Sequence, residues 1–121
     1  MYRLIIGLLF SGLVYAHQMT PAYPELKLAT VEGILKASVT IFNKRADVSY
    51  YEVGVFDKDF KPIPFVTSYY IKDIPYEKTA EIDVYILDKN KDRAVYVCSS
   101  SKLTNVESTG IESRICSKFK K

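Results

Sequence analysis

From residue 35 onward the chain alternates. Leu35, Ala37, Val39 and Ile41 are separated by Lys36, Ser38 and Thr40, and a period of two puts each set on its own face of a half-buried strand. Residues 79–87 repeat the pattern without a break, with Ala80, Ile82, Val84 and Ile86 against Thr79, Glu81, Asp83 and Tyr85. Residues 49–56 place Tyr51, Val53 and Val55 on one side and Tyr50, Glu52 and Gly54 on the other. Shorter runs predict strands over 26–31, 65–71, 94–99 and 110–119. Between them lie turn signals: the polar run 43–47, a hairpin tip at 57–59, a turn at 73–76 and a charged turn at 88–92. Pro62 and Pro64 confine their segment to an edge or a connection, because neither can donate to a ladder. About seven short strands with turns between them predict an all-β, antiparallel sandwich. No stretch sustains a helical period.

The N-terminus reads differently. Arg3 precedes an apolar run from residue 4 to 15, broken only by Gly7, Ser11 and Gly12, and Ala16 closes it with a small residue. The run is shorter than the ~20 apolar residues that span a bilayer, and its layout is that of a secretory signal peptide. The expected organisation is a signal peptide over 1–16 and one β-sandwich domain over 17–121, exported to a periplasmic or extracellular space. No later segment is long and apolar enough to cross a membrane.

Export changes the meaning of the two cysteines. Cys98 and Cys116 are the whole complement, and an even count in an oxidising compartment predicts one disulfide, worth about 3 kcal/mol in the chain-entropy model. Without export the two would be free thiols. Their spacing fits no zinc site. Asp92-Arg93-Ala94-Val95-Tyr96-Val97-Cys98 reads Asp-x-Ala-x-Tyr-x-Cys. In immunoglobulin-type strands a Tyr two residues before a Cys makes a corner hydrogen bond, and the same bond is expected of Tyr96. The antibody arrangement does not follow. It needs a second Cys on the strand over 35–43 and a Trp against the bridge, and neither is present. Cys98 has only Cys116 to pair with, so the bridge is expected to staple adjacent strands of one sheet.

Composition narrows the partner. Loss of Arg3 with the signal peptide takes the formal net charge from +3 to +2, too weak and too scattered for a nucleic-acid face. The local basic cluster, Arg114, Lys118, Lys120 and Lys121, reads as a solvated tail. Enzyme chemistry is not expected. The one histidine, His17, would be the first residue of the mature chain, so no Ser-His-Asp or Cys-His set assembles elsewhere. Asp57 with Asp59, and Asp88 with Asp92, form no recognisable calcium loop. No cofactor is expected. His17 is a weak metal candidate, because a terminal α-amine and imidazole together can chelate copper, with Met19 as a soft ligand for Cu(I). The simpler expectation is a disordered terminal His. Tyr50-Tyr51 and Tyr69-Tyr70 each put one ring on each face of a strand and are expected to cover sheets.

The order of elements resembles the N-terminal domain of periplasmic pilus-assembly chaperones over about residues 24–119. An opening strand ends in Val31-Glu32-Gly33. The strand over 36–43 ends in Asn43. A Pro-containing connection leads to Phe65-Val66-Thr67. A strand like Ala80-Glu81-Ile82-Asp83-Val84 follows, then Asp92-Arg93 before the Cys-bearing strand. One branch of that family carries a disulfide between its last two strands, which Cys98 and Cys116 would match. The resemblance implies a protein partner bound at a sheet edge by strand addition, and basic residues that anchor the partner's terminal carboxylate. Lys27 on the first strand and Arg114 or Lys118 on the last would take that role. The family's second domain has no room here, its first-strand Arg falls at Leu28, and Ile111, Ile115 and Phe119 are spaced by four rather than alternating. The implied function is an exported binding or scaffolding module. The alternative is a structural or adhesive domain of a cell surface or virus particle.

Overall fold

The computed structural model describes residues 17–64, 70–106 and 109–120. The expected signal peptide, and residues 65–69 of the strand expected over 65–71, lie outside the described residues. The strands are β1 (Gln18–Thr20), β2 (Lys27–Leu28), β3 (Ile34–Phe42), β4 (Tyr50–Phe56), β5 (Tyr70–Asp73), β6 (Thr79–Leu87), β7 (Tyr96–Lys102) and β8 (Ile111–Lys118). The described residues contain no α-helix, only a 3₁₀ turn over Asp88–Asn90.

The strands form two antiparallel sheets. In the first, β3 is central, with β6 along one side and β1 and β2 end to end along the other. The second runs β5-β4-β7-β8. The chain crosses between sheets after β3, β5 and β6, which makes an immunoglobulin-like sandwich.

The alternation read from the sequence sets the β3–β6 register. Leu35 lies opposite Ile86, Ala37 opposite Val84, Val39 opposite Ile82 and Ile41 opposite Ala80, and all but the partly buried Ala80 are buried. Their solvent-side neighbours are also paired: Lys36 with Tyr85, Ser38 with Asp83, Thr40 with Glu81. Tyr51, Val53, Val55 and Val97 face them from the second sheet, and Ile63, Ile74, Ala94 and Phe119 close the core. Each such aliphatic side chain, fully buried, contributes roughly 1.5–3 kcal/mol.

Three expectations change in place. The first strand, expected over 26–31, is only the two-residue β2, and β1 pairs with the other end of β3 ahead of it, the two pieces separated by a segment that holds Pro21 and Pro24; the Thr20–Pro21 bond is cis. The strand expected over 65–71 is seen as β5, Tyr70–Asp73. β7 runs on through Ser100, Ser101 and Lys102, where a polar sequence hides a strand that both neighbours hold in place.

Candidate functional site

The β7–β8 hairpin, its outer face and its free edge gather most of the unusual side chains. Cys98 lies directly opposite Cys116 and the two form the disulfide. Their Cα atoms are 4.0 Å apart, the close spacing of a non-hydrogen-bonded antiparallel pair. The bridge therefore staples neighbouring strands of one sheet, as expected. It sits on the outer face, since Val97 points into the core and Cys98 takes the other side.

The same parity corrects the expected tyrosine corner. Tyr96 shares the outer face with Cys98. Its ring stacks on Phe60 with centroids 4.4 Å apart and planes 11° from parallel. Phe60 reaches that position through a left-handed backbone (φ 59°). It ends a tight tip in which Asp57 Oδ1 accepts from the backbone N–H of Asp59 and of Lys61. Those bonds, the Lys61 one foremost, hold the Asp57 carboxyl below its usual range.

Further along the face, the Phe56 ring packs over Gly54. A Cβ on Gly54 would meet the ring at 2.9 Å, so only glycine permits this packing. The Arg114 guanidinium carbon sits 5.3 Å from the Phe56 ring centroid, a cation–π distance. Arg114 Nε also donates to Ser100 Oγ at 3.1 Å. Beyond it, Lys102 is fully buried, and its Nζ donates to Glu52 Oε1 at 2.5 Å and to the Val106 carbonyl. Residues 103–106 are thus held by a buried cation. Leu103 N–H donates to the Gly110 carbonyl at 2.8 Å, with Gly110 in the left-handed region (φ 64°). Leu103 and Val106 remain exposed at the surface.

A second polar group lies at the same end of the sandwich. Asn43, fully buried, directly follows β3. Its Nδ2 donates to the carbonyls of Val48 (2.9 Å) and Ile74 (2.8 Å), and its Oδ1 accepts from Arg45 N–H (2.8 Å) and Tyr51 Oη (2.5 Å). Burial pushes the Tyr51 phenol up to about 12. The Tyr51 ring meets the His17 ring edge-on, 4.9 Å between centroids.

His17 is neither the disordered terminal residue nor the copper ligand that the sequence suggested. It is 1% exposed. Its Nε2 lies 2.6 Å from Ser99 Oγ and 3.2 Å from the Ser99 carbonyl, which ties the first strand to the opposite sheet. Nδ1 is buried without a partner. Burial, with a smaller contribution from the Arg45 charge, lowers the His17 pKa to about 4, against the Ser99 bond that raises it. Met19 is in the core. No group of three or more His, Cys, Asp or Glu among the described residues could hold a metal.

The proposed anchoring residues separate. Lys27 pairs in register with Lys36 on the outer face of the first sheet. There a cavity of ≈ 310 Å³ is lined by Lys27, Lys36, Lys120, Tyr23, Ser38 and Glu25. Arg114 and Lys118 lie on the outer face of the second sheet, opposite Ser100 and Tyr96. The basic residue that joins Lys27 is therefore Lys120, brought there as its N–H donates to the Pro24 carbonyl at 2.8 Å. Sequence reading missed Lys102, Glu52 and Asn43. No local pattern in Ser100-Ser101-Lys102 marked Lys102, whose register opposite Tyr50 exists only once β4 and β7 pair.

No protein-family model matches the chain, and no curated protein matches it. Among solved structures, the X-ray structure of Northeast Structural Genomics Consortium target SoR45 is similar over 87% of this chain and 81% of that one, with 13% identity and a TM-score of 0.31. No helix among the described residues is long and apolar enough to cross a membrane.

Proposed function

We propose that this chain is an exported, single-domain binding or scaffolding protein that takes a protein partner along the edge of β8. One observation carries the reading. β8 is eight residues long, pairs among the described strands with β7 alone, and is stapled to it by the disulfide. A stapled edge keeps its unpaired backbone groups in fixed positions, which favours strand addition. A disulfide also suits an oxidising compartment, in keeping with the apolar N-terminal segment.

The resemblance to the pilus-chaperone domain supports the same edge with a different balance of forces. Phe119 is 2% exposed and belongs to the core, and Ile115 is half-buried and packs against it. The strand therefore offers a partner mainly its backbone, with Arg114 and Lys118 beside it. No catalysis is part of this reading, since the one imidazole is engaged with Ser99.

Affinity capture from an extracytoplasmic extract tests it. Arg114→Pro removes an edge N–H that points away from β7, a substitution edge strands tolerate. The folded variant should lose whatever the native protein captures. Retention of the same partners by the folded variant would rule out the edge.

The adhesive or surface-domain alternative has its own support. Residues 103–106 present Leu103 and Val106 to solvent on a hydrogen-bonded base held by Lys102. If Leu103→Ser with Val106→Ser abolishes capture while Arg114→Pro does not, that alternative replaces the edge.

A further inference from the structure

We infer that the cavity on the outer face of the first sheet binds the phosphate monoester of a small sugar. This site lies on the sheet that does not hold β8 and is independent of the edge reading.

The first sheet has a gap at this point. β1 pairs with residues 40–42 of β3 and β2 with residues 35–36. Residues 37–39 therefore have no ladder partner on that side among the described residues. Backbone parity settles which group faces the gap. The Ile34 carbonyl accepts from Ala29 N–H on the β2 side at 2.9 Å, and the Gly33 carbonyl accepts from Asp88 N–H on the β6 side at 2.9 Å. Even-numbered residues of β3 thus point their N–H and C=O groups toward β1 and β2. Ser38 N–H is aimed into the gap, and no described backbone group bonds to it there. An unpaired N–H in a concave sheet edge is a donor for an anion. The Ser38 hydroxyl is turned the other way and donates to Asp83 Oδ1 at 2.5 Å.

Positive charge converges on the same spot. Lys27 lies directly opposite Lys36, a like-charge cross-strand pair that is destabilising by itself. Lys120 arrives from the far end of the chain, fixed as its N–H donates to the Pro24 carbonyl at 2.8 Å. All three line the cavity, and the one lining carboxylate is Glu25. Glu25 sits 3.7 Å from Lys27 Nζ, a loose pair with both side chains exposed. No carboxylate of a described residue pairs with Lys36 or Lys120. Three ammonium groups against one carboxylate leave a surplus of two positive charges. The other basic clusters differ, because Arg45 is engaged with Asp47, Lys102 with Glu52 and Arg114 with the Phe56 ring.

That surplus selects the ligand. A carboxylate brings one negative charge, whereas a phosphate monoester brings close to two at neutral pH. Lysine binds phosphate as a point charge and lacks the fork with which arginine grips a planar carboxylate. The space exceeds what the phosphate fills. At ≈ 310 Å³ the cavity stands at the lower end of small-molecule pockets, and Tyr23 and Pro21 form its remaining wall. Tyr23 is 66% exposed, so its ring is open to a ligand. It offers an apolar body and one hydroxyl, which suit the apolar face and the hydroxyls of a sugar ring.

Isothermal titration calorimetry with a hexose phosphate tests the site, with inorganic phosphate, the hexose alone and acetate titrated at the same ionic strength. The hexose phosphate should bind tightest, inorganic phosphate more weakly, and the hexose and acetate more weakly still. Lys36→Gln and Lys120→Gln should each weaken hexose phosphate binding by about ten-fold. Lys58→Gln makes the same change in net charge at the 57–59 tip and should leave binding unchanged. Tyr23→Ala should bring the hexose phosphate down to the level of inorganic phosphate. A native protein without saturable binding below about 1 mM hexose phosphate, or lysine variants no weaker than Lys58→Gln, overturns the site. Acetate or inorganic phosphate binding as tightly as the hexose phosphate overturns the assignment of its ligand.

Discussion

The two sheets bury different chemistry. Along β3 and β6 every fully buried side chain is carbon: Leu35, Ala37, Val39, Ile41, Ile82, Val84 and Ile86. Along β4 and β7 the buried set mixes Tyr51, Val53, Val55 and Val97 with Glu52, Ser99, Ser100, Ser101 and Lys102. The first sheet is held by non-directional apolar burial. The second is held in part by directional bonds, each of which leaves a costly orphan if one partner is removed. The sheets should therefore respond differently to mutation, and the edge proposed for binding lies on the one less tolerant of change.

The largest test of that difference is Lys102→Ala, which leaves the buried Glu52 carboxylate without its ammonium. A loss of about 3–5 kcal/mol is expected in urea unfolding, while Lys102→Met combined with Glu52→Leu should be near neutral or stabilising. If the double variant is as damaged as the single one, the ion pair does more than satisfy itself.

Acid gives the next effect. Folded His17 stays neutral to about pH 4, while the unfolded chain protonates near 6.5. Between those values the unfolded state binds more protons, so stability should fall as pH drops from about 6.5 toward 4, by about 2–3 kcal/mol in all, and should be flat above. His17→Gln should flatten the acid side of the profile. An unchanged slope in that variant would assign it to carboxylates.

The smallest expected change is in the apolar sheet. Ile82→Val removes one methylene from a fully buried site and should cost about 1 kcal/mol. A loss as large as that of Lys102→Ala would erase the distinction between the sheets.

The legibility of the sequence follows the same division. The strand over 79–87 was readable to both of its ends, and the strand expected over 35–43 lies within a residue of β3, because one face of each meets solvent and alternation survives. β7 was readable only to Ser99. Its continuation Ser100-Ser101-Lys102 looks like a loop until the Glu52 carboxylate and the Val106 carbonyl meet Lys102. The tyrosine-corner reading of Tyr96 failed for a related reason. A motif gives residue spacing but not which face of the sheet receives it, and the bridge to Cys116 put Cys98 and Tyr96 outside.

Residue order alone determined the all-β class, the alternating strands, the turn positions and the pairing of the only two cysteines. These follow from local periodicity and from counting. The tertiary structure decided what local pattern cannot encode. It buried His17 against Ser99 from 82 residues away. It brought Lys120 rather than Arg114 or Lys118 to Lys27, and put Arg114 on Phe56. It turned the backbone groups of Arg114, Cys116 and Lys118 away from β7. Burial and strand parity are properties of pairs of segments, so they exist only once the two sheets have closed on each other.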